Sequence, residues 1–239
     1  MSTDDARLDG LRRCPPVEAT AEPHLREQRL HGSQVWRGPF LDVRLDQVAL
    51  PDGREVSREY VVHPGAVMII PVLDDGRLVM ERQFRYPLDR SFIEFPAGKL
   101  DPGESVLACA VRELAEETGY RAARWARAGV LHPVISYSTE FIEVWLASGL
   151  TAGERHLDEG EFLDVFAATQ AELLAWSREG RLTDAKTLVG LLWLQQWRSG
   201  AWTPQWQAAP APAPAPAPAP GTEGPSFIGA PGKPGGAGA

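Results

Sequence analysis

The sequence predicts an α+β fold, in which a mixed β-sheet is flanked by helices. Segments with the two-residue period of strands occur along the chain together with segments of helical period. They do not alternate in regular β-α-β order, and this favours the α+β class. Hydrophobic residues make up 44% of the 239 residues, which is enough to build a sizeable core.

A small β-unit is predicted near the N-terminus. Apolar and charged residues alternate over residues 40–49, the pattern of a half-buried strand. Pro51-Asp52-Gly53 is a turn signal, and residues 55–62 follow as a second strand. The unit is therefore expected to be hairpin-like.

Four further strands and three helices are predicted downstream. The strands are expected at residues 67–72, 78–84, 91–95 and 141–146. One helix is expected over residues 105–118, where Gly119 ends it. A second begins at the capping box of residues 169–172 and stops near Gly180, and a third covers residues 183–197.

These elements lie between two segments of unusual composition. Residues 1–30 mix charges with prolines and are expected to form a flexible lead-in, followed by the N-terminal β-unit at residues 31–62 and the main domain at 63–207. Residues 208–239 are expected to form a disordered tail, because alternating Ala and Pro favours extended polyproline II over helix or sheet. A docking peptide is the alternative for this tail.

Charge and cysteine content argue against several classes of protein. The 24 basic and 32 acidic residues give a net charge of −8, which disfavours nucleic-acid binding through bulk electrostatics. A divalent cation could still bring a phosphate substrate to such a chain. Cys14 and Cys109 cannot build a disulfide framework, which fits a reducing cytoplasm. We expect no signal peptide or membrane span, because the N-terminus is charged and the aliphatic run at residues 66–73 is short.

Three glutamates in the helix at residues 105–118 indicate a metal site. At about 100° per residue, Glu113, Glu116 and Glu117 fall within one arc beside the apolar residues that must face the core. Their mutual repulsion, and their place at the helix C-terminus where the macrodipole disfavours anions, would destabilise a bare helix. Mg²⁺ would offset this repulsion, because it prefers oxygen ligands and substrate phosphates. Arg112, four residues before Glu116, can hold one carboxylate in place.

A longer pattern argues against the alternative that these charges are only a solvated acidic face. The pattern runs Gly98, Glu104, Arg112-Glu113-Leu114, Glu116-Glu117 and Gly119, with gaps of five, seven, one and one residues. This spacing resembles the signature of the Nudix hydrolase superfamily, with one departure at Tyr120, where the family usually has an aliphatic residue. The resemblance implies an α/β/α Nudix sandwich that hydrolyses a nucleoside diphosphate linked to another group.

The resemblance also implies the metal ligands and the general base. Mg²⁺, or Mn²⁺ as an alternative, is expected on Glu113, Glu116, Glu117 and the backbone carbonyl of Ala97. In dinucleotide-sugar Nudix enzymes a glutamate on a loop after this helix activates the water, and residues 158–161 match that loop. Glu159 and Glu161 would face opposite sides of an extended loop, so either is a candidate base. Glu140 is a rival candidate.

Segments on both sides of the helix look like those of ADP-ribose pyrophosphatases, and the resemblance covers residues 36–197. Arg85 could present its guanidinium fork to a diphosphate, with Arg58 as a weaker candidate, and a surface ion pair is the alternative. Family members use an aromatic residue from the N-terminal β-unit to stack on adenine, often across a homodimer. Trp36 could take this part, with a core or interface position as the alternative.

The resemblance therefore implies an enzyme that splits ADP-ribose into AMP and ribose 5-phosphate. We expect it in the cytoplasm, as a homodimer, without nucleic-acid or membrane partners. The loop at residues 134–139 lacks the Pro-Gly that family members often carry there, so another nucleotide sugar, such as GDP-mannose, stays open as substrate. A nucleotide-sugar-binding module without catalysis, and a scaffold that acts through the Ala-Pro tail, are further alternatives, although the intact motif favours catalysis.

Overall fold

The structure is a computed structural model that describes residues 22–210. The expectations for residues 1–21 and 211–239, including Cys14 and most of the Ala-Pro tail, lie outside the described residues. None of the described helices is long and apolar enough to cross a lipid bilayer.

The described residues form eleven strands and three α-helices. The strands are β1 (Gln28–Arg37), β2 (Asp42–Ala49), β3 (Glu55–Val62), β4 (Ala66–Val72), β5 (Leu78–Arg85), β6 (Arg90–Glu94), β7 (Ala97–Lys99), β8 (Tyr120–Leu131), β9 (Ile142–Ala152), β10 (Leu163–Ala168) and β11 (Gln207–Ala208). The helices are α1 (Val106–Thr118), α2 (Gln170–Arg178) and α3 (Ala185–Arg198).

The N-terminal unit is a three-stranded antiparallel sheet in the order β1-β2-β3. The two predicted strands are present, and β1 is added on the outside. Every residue of β1 is exposed, so its sequence needs no alternation of apolar and polar residues and carries no strand pattern. Asp46 on β2 accepts hydrogen bonds from Arg29 (2.7 Å) and Tyr60 (3.0 Å), which ties the three strands together.

The main sheet has the strand order β10-β5-β4-β9-β8-β11, with β6 paired to β5 and β7 paired to β4. Strands β4 and β9 run parallel, and the other pairs are antiparallel. The sheet is therefore mixed, as predicted. Strands β7, β8, β10 and β11 were not predicted. The β8 sequence is rich in Ala and Arg, which have no strong strand preference, and its pairing with β9 decides its conformation.

Alternate residues of β4 supply two separate cores on the two faces of the sheet. Val67 and Ile69 pack with Leu114 of α1, whereas Met68 and Ile70 pack with residues of α2 and α3 such as Leu194. Helices therefore cover both faces of a central sheet. This confirms the predicted α+β class and its α/β/α arrangement.

The predicted helix boundaries agree closely with the structure. Ser105 caps α1 by accepting a hydrogen bond from the Ala108 N–H (3.3 Å), and Gly119 ends the helix with a φ of 76°. Thr169 and Glu172 form the predicted capping box of α2. These contacts join residues that are close in sequence, so the local sequence is enough to predict them.

Candidate active site

A cavity of about 430 Å³ opens between β5, β7, α1, the loop before β10 and the start of α3. Its acidic wall is formed by the glutamates of α1 together with Glu161. Its basic wall is formed by Arg85 from the end of β5, Lys186 from the first turn of α3 and Lys99 of β7. The cavity therefore joins an acidic wall to a basic one.

Helix α1 supplies Glu113, Glu116 and Glu117 to the acidic wall, and the three residues differ in how deeply they are buried. The Glu117 residue is only 4% exposed, whereas the side chains of Glu113 and Glu116 are 12% and 34% exposed. Glu117 Oε2 accepts a hydrogen bond from the Ala97 N–H (3.0 Å). A Cβ atom on Gly98 would lie 1.9 Å from the Glu113 carboxyl carbon, so glycine is required for Glu113 to reach the cavity.

Arg112 holds the acidic motif together from the outside of the helix. Its guanidinium donates to Glu104, Glu113 and Glu116, each at 2.9 Å, and to the Lys99 carbonyl at 3.1 Å. The predicted pairing of Arg112 with Glu116 is therefore present. Charge-assisted contacts of this kind fix the carboxylates in one arrangement.

Burial and mutual repulsion keep protons on part of the acidic wall. Burial raises the pKa of Glu113 to about 7. Burial, followed by the charges of Glu81 and Glu113, raises the pKa of Glu117 well above its ordinary value. Burial, with the charges of Glu161 and Glu94, raises the pKa of Glu81 to about 8. Each carboxylate thus makes ionisation of the others harder.

Glu81 on β5 is a member of this group that the sequence analysis missed. It is 3% exposed, and its Oε1 atom has no hydrogen-bond partner among the described residues. The sequence signal for Glu81 was its place directly after the apolar residues Leu78–Met80, which are buried in β5. A buried charge without a partner is costly, and such groups occur where function requires them.

The donor set fits a hard divalent cation. All the candidate ligand atoms are oxygens, and the nearby buried Glu81 Oε1 lacks a hydrogen-bond partner among the described residues. Burial and repulsion between the carboxylates disfavour ionisation of Glu113 and Glu117, and a bound cation would offset this repulsion. Within residues 22–210, no three acidic, His or Cys side chains are already grouped as a metal site. The arrangement supplies the charge and the ligand type that Mg²⁺ prefers, without an enclosed ligand shell.

The two candidate bases are separated by a tight turn. The Glu161 N–H donates to the Asp158 carbonyl (3.0 Å), and Gly160 has a φ of 85°. The segment is therefore a turn and not an extended loop. It places Glu161 in the cavity, where Gln83 donates to its carboxylate (3.2 Å), and leaves Glu159 exposed outside the cavity lining.

The remaining candidate residues fall in different places. Glu140 lines the cavity beside His63, whose pKa is lowered mainly by burial. Arg85 lines the cavity and also forms a two-point ion pair with Glu94. Arg58 pairs with Glu27 at 2.5 Å on the N-terminal sheet, and Trp36 lies on exposed β1 with 52% of its surface accessible. Neither of these last two residues lines the cavity of its own chain.

Two family models and several known proteins match this chain. A family model described as "NUDIX domain" matches residues 62–191, and one described as "Nucleoside diphosphate sugar hydrolase N-terminal domain" matches residues 27–61. The chain is 38% identical over 173 residues to the ADP-ribose pyrophosphatase of Bacillus subtilis (strain 168), covering 72% of this chain and 94% of that protein. It is also 38% identical over 173 residues to the methanol dehydrogenase activator of Bacillus methanolicus, covering 71% and 92%.

A solved structure described as "Crystal structure of ADP compounds hydrolase" has a similar fold. The TM-score is 0.67 at 26% sequence identity, and the match covers 74% of this chain and 97% of that one.

Proposed function

This chain belongs to the Nudix family, and from that premise we propose that it is a Mg²⁺-dependent hydrolase that cleaves the diphosphate of ADP-ribose to AMP and ribose 5-phosphate. The observation that carries the proposal is that one cavity is lined by the glutamates of the Nudix motif, by Glu161 and by Arg85. Relatives named ADP-ribose pyrophosphatase support the choice of substrate.

The acidic wall is the place for the metal. Glu113, Glu116, Glu117 and the Ala97 carbonyl would hold Mg²⁺, or Mn²⁺ in its place. When bound, the ion neutralises charge on the diphosphate and lowers the pKa of the attacking water. Arg112 keeps Glu113 and Glu116 in position through its 2.9 Å contacts.

Glu161 is the base in this proposal. It is partly buried in the cavity, and Gln83 orients its carboxylate through a hydrogen bond of 3.2 Å. A carboxylate in this position can accept the proton of a water that attacks the diphosphate. Glu140 lies at another part of the same cavity, so it is the second candidate, and exposed Glu159 is the third.

Arg85 binds the diphosphate from the basic wall. Its side chain is 43% exposed and reaches the cavity although two of its nitrogens are paired with Glu94. A guanidinium has five N–H groups in a fixed fork, so contacts remain for phosphate oxygens. Arginine thereby orients the two phosphates relative to the metal and the base.

The proposal includes a homodimer that works in the cytoplasm. Trp36 lies on a strand whose ten residues are all exposed, and it does not line the cavity of its own chain. A second copy could bring Trp36 and Arg58 to its partner's cavity, where the indole would stack on adenine. Light scattering of the purified protein tests the dimer, and loss of adenine-nucleotide affinity in Trp36→Ala tests the stacking.

A substrate panel with product identification tests the activity. We expect purified protein with Mg²⁺ to release AMP and ribose 5-phosphate from ADP-ribose. Turnover of GDP-mannose without turnover of ADP-ribose would overturn the substrate assignment and leave the hydrolase class intact. Binding of ADP-ribose without turnover in Mg²⁺ would instead favour a binding module.

A further inference from the structure

Lys186, at the start of α3, contacts the ion pair that the proposed diphosphate-binding arginine makes. We infer that Lys186 is a positioning residue: through Glu94 it holds the guanidinium of Arg85 in the orientation that binds the diphosphate. The inference rests on the proposed function of the cavity. Lys186 lines this cavity with a side chain only 13% exposed, and its ammonium donates to Glu94 and to Asp184 (3.1 Å).

Glu94 is the link between the two cations. Its side chain is 4% exposed, and Arg85 donates to it from Nε and Nη2, each at 2.7 Å. This two-point contact uses one edge of the guanidinium and leaves Nη1 out of the pair. Lys186 donates to the same Oε2 atom that accepts from Nη2, so its ammonium restricts how the Glu94 carboxylate can rotate.

Hydrogen bonds in the first turn of α3 fix the backbone position of Lys186. Asp184 Oδ2 accepts hydrogen bonds from the Thr187 N–H (2.9 Å) and hydroxyl (2.6 Å). The fully buried Thr187 hydroxyl in turn accepts from the Phe95 N–H (3.0 Å). Phe95 directly follows Glu94 in the chain. The helix start and the Glu94 backbone are therefore joined, and the lysine reaches Glu94 from a defined position.

The charge balance around Glu94 favours a positioning role for Lys186 over direct attraction of the substrate phosphates. Arg85 and Lys186 carry two positive charges, and Glu94 and Asp184 carry two negative ones, so the group is neutral. Although burial opposes it, hydrogen bonding from Arg85 and the charge of Lys186 lower the pKa of Glu94, which stays ionised. Lys186 therefore completes the pairing of a buried carboxylate, and its effect on substrate passes through Arg85.

A double-mutant cycle tests this route. Lys186→Met removes the ammonium and keeps an unbranched side chain. We expect it to raise KM for ADP-ribose about 10-fold while kcat changes less than about 3-fold, the pattern of lost substrate binding. In an Arg85→Ala background, Lys186→Met should have no further effect. Lys186→Arg should restore most of the affinity, since it can donate to the same oxygen.

Two further variants keep the test decisive. Arg82→Met breaks the exposed Arg82–Asp164 pair (2.5 Å) outside the cavity, and it should leave KM unchanged. Glu94→Gln weakens the link itself, and its effect on KM should not add to that of Lys186→Met. Additive effects of Lys186→Met and Arg85→Ala would overturn the inference in favour of direct contact with substrate, and an unchanged KM in Lys186→Met would remove any role.

Failure of the inference is separable from failure of the proposed function. The wild-type rate in the same assay reports on the function, and only the ratios among variants report on Lys186. If wild-type protein binds ADP-ribose without hydrolysing it, the same cycle is measured as dissociation constants by calorimetry. If wild-type protein turns over GDP-mannose and not ADP-ribose, the substrate assignment fails, and the same cycle with GDP-mannose decides the role of Lys186.

Discussion

Glu161 and Glu159 are two residues apart, yet only one of them can meet a water in the cavity. We expect Glu161→Gln to lower kcat by about 10²–10⁴-fold, because the amide cannot accept the proton, whereas Glu159→Gln should change it less than about 3-fold. Steady-state kinetics with ADP-ribose and Mg²⁺ measure both. A large loss in Glu159→Gln with normal Glu161→Gln would reverse the assignment.

The buried carboxylates should also make stability depend on pH in an unusual direction. The folded-state pKa values of Glu113 (about 7) and Glu81 (about 8) lie above the ordinary 4.5. Between pH 4.5 and 8 the native state therefore binds more protons than the unfolded state, and stability falls as pH rises. Metal-free protein should lose on the order of a few kcal/mol from pH 5.5 to 8, seen as a lower thermal midpoint.

Magnesium and one substitution provide the controls for this pH dependence. Mg²⁺ requires ionised ligands, so it should raise the midpoint more at pH 8 than at pH 6. Glu81→Gln removes one of the titrating groups and should flatten the metal-free slope. Carboxylates with lowered pKa values, such as Asp42 at about 2 beside Arg44, titrate below this window and do not affect it. A metal-free midpoint that rises with pH would contradict the expectation.

At the scale of elements, the end of α1 should be more sensitive than the end of α2. Gly119 and Gly180 both have positive φ, 76° and 72°, so alanine costs about 1–2 kcal/mol at either position. Only at Gly119 would the new Cβ also lie 2.8 Å from a backbone oxygen, that of Gly153. We expect Gly119→Ala to destabilise the fold more than the matched Gly180→Ala, in chemical denaturation. Equal losses of stability would show that the backbone near Gly153 shifts to accommodate the new Cβ at little cost.

Elements differ in how far local sequence predicts them. The helix α1, its serine cap and its terminal glycine follow from contacts within a few residues. Strand β8 follows instead from pairing with β9, and its Trp125 is fully buried although the surrounding residues are Ala and Arg. Strand β10 likewise exists because residues 163–168 pair with β5. Pairing partners distant in sequence leave no short-range pattern.

At the scale of the whole molecule, the described C-terminal segment belongs to the fold. Trp206 packs edge-on against Trp197 with ring centres 5.5 Å apart, and β11 pairs with β8. We expect deletion of residues 203–239 to lower stability by about 3 kcal/mol, since it removes this tryptophan and the edge strand. Deletion of residues 211–239 is the matched control and should leave both kcat and the thermal midpoint unchanged. A loss of kcat in the shorter deletion would assign a catalytic role to the tail.

The family, the fold class and the acidic motif can be predicted from the residues alone. The family and the motif follow from residue types at fixed spacing over residues 98–119, and helical geometry converts the spacing of the three glutamates into a shared face. The fold class follows from strand-like and helical periods that do not alternate regularly. The same reasoning left Glu159 and Glu161 undecided, because the shape of a loop does not follow from the spacing of two residues.

The other residues that meet the motif depend on how distant segments of the chain pack together. Glu161, from the turn before β10, and Lys186, from α3, line the same cavity as the motif. Buried Glu81 comes from β5, and its charge helps to raise the pKa of Glu117. The sheet order brings these elements together. Their separation along the chain hides this proximity. The desolvation that raises the glutamate pKa values is equally a property of the packed interior, which no single segment possesses.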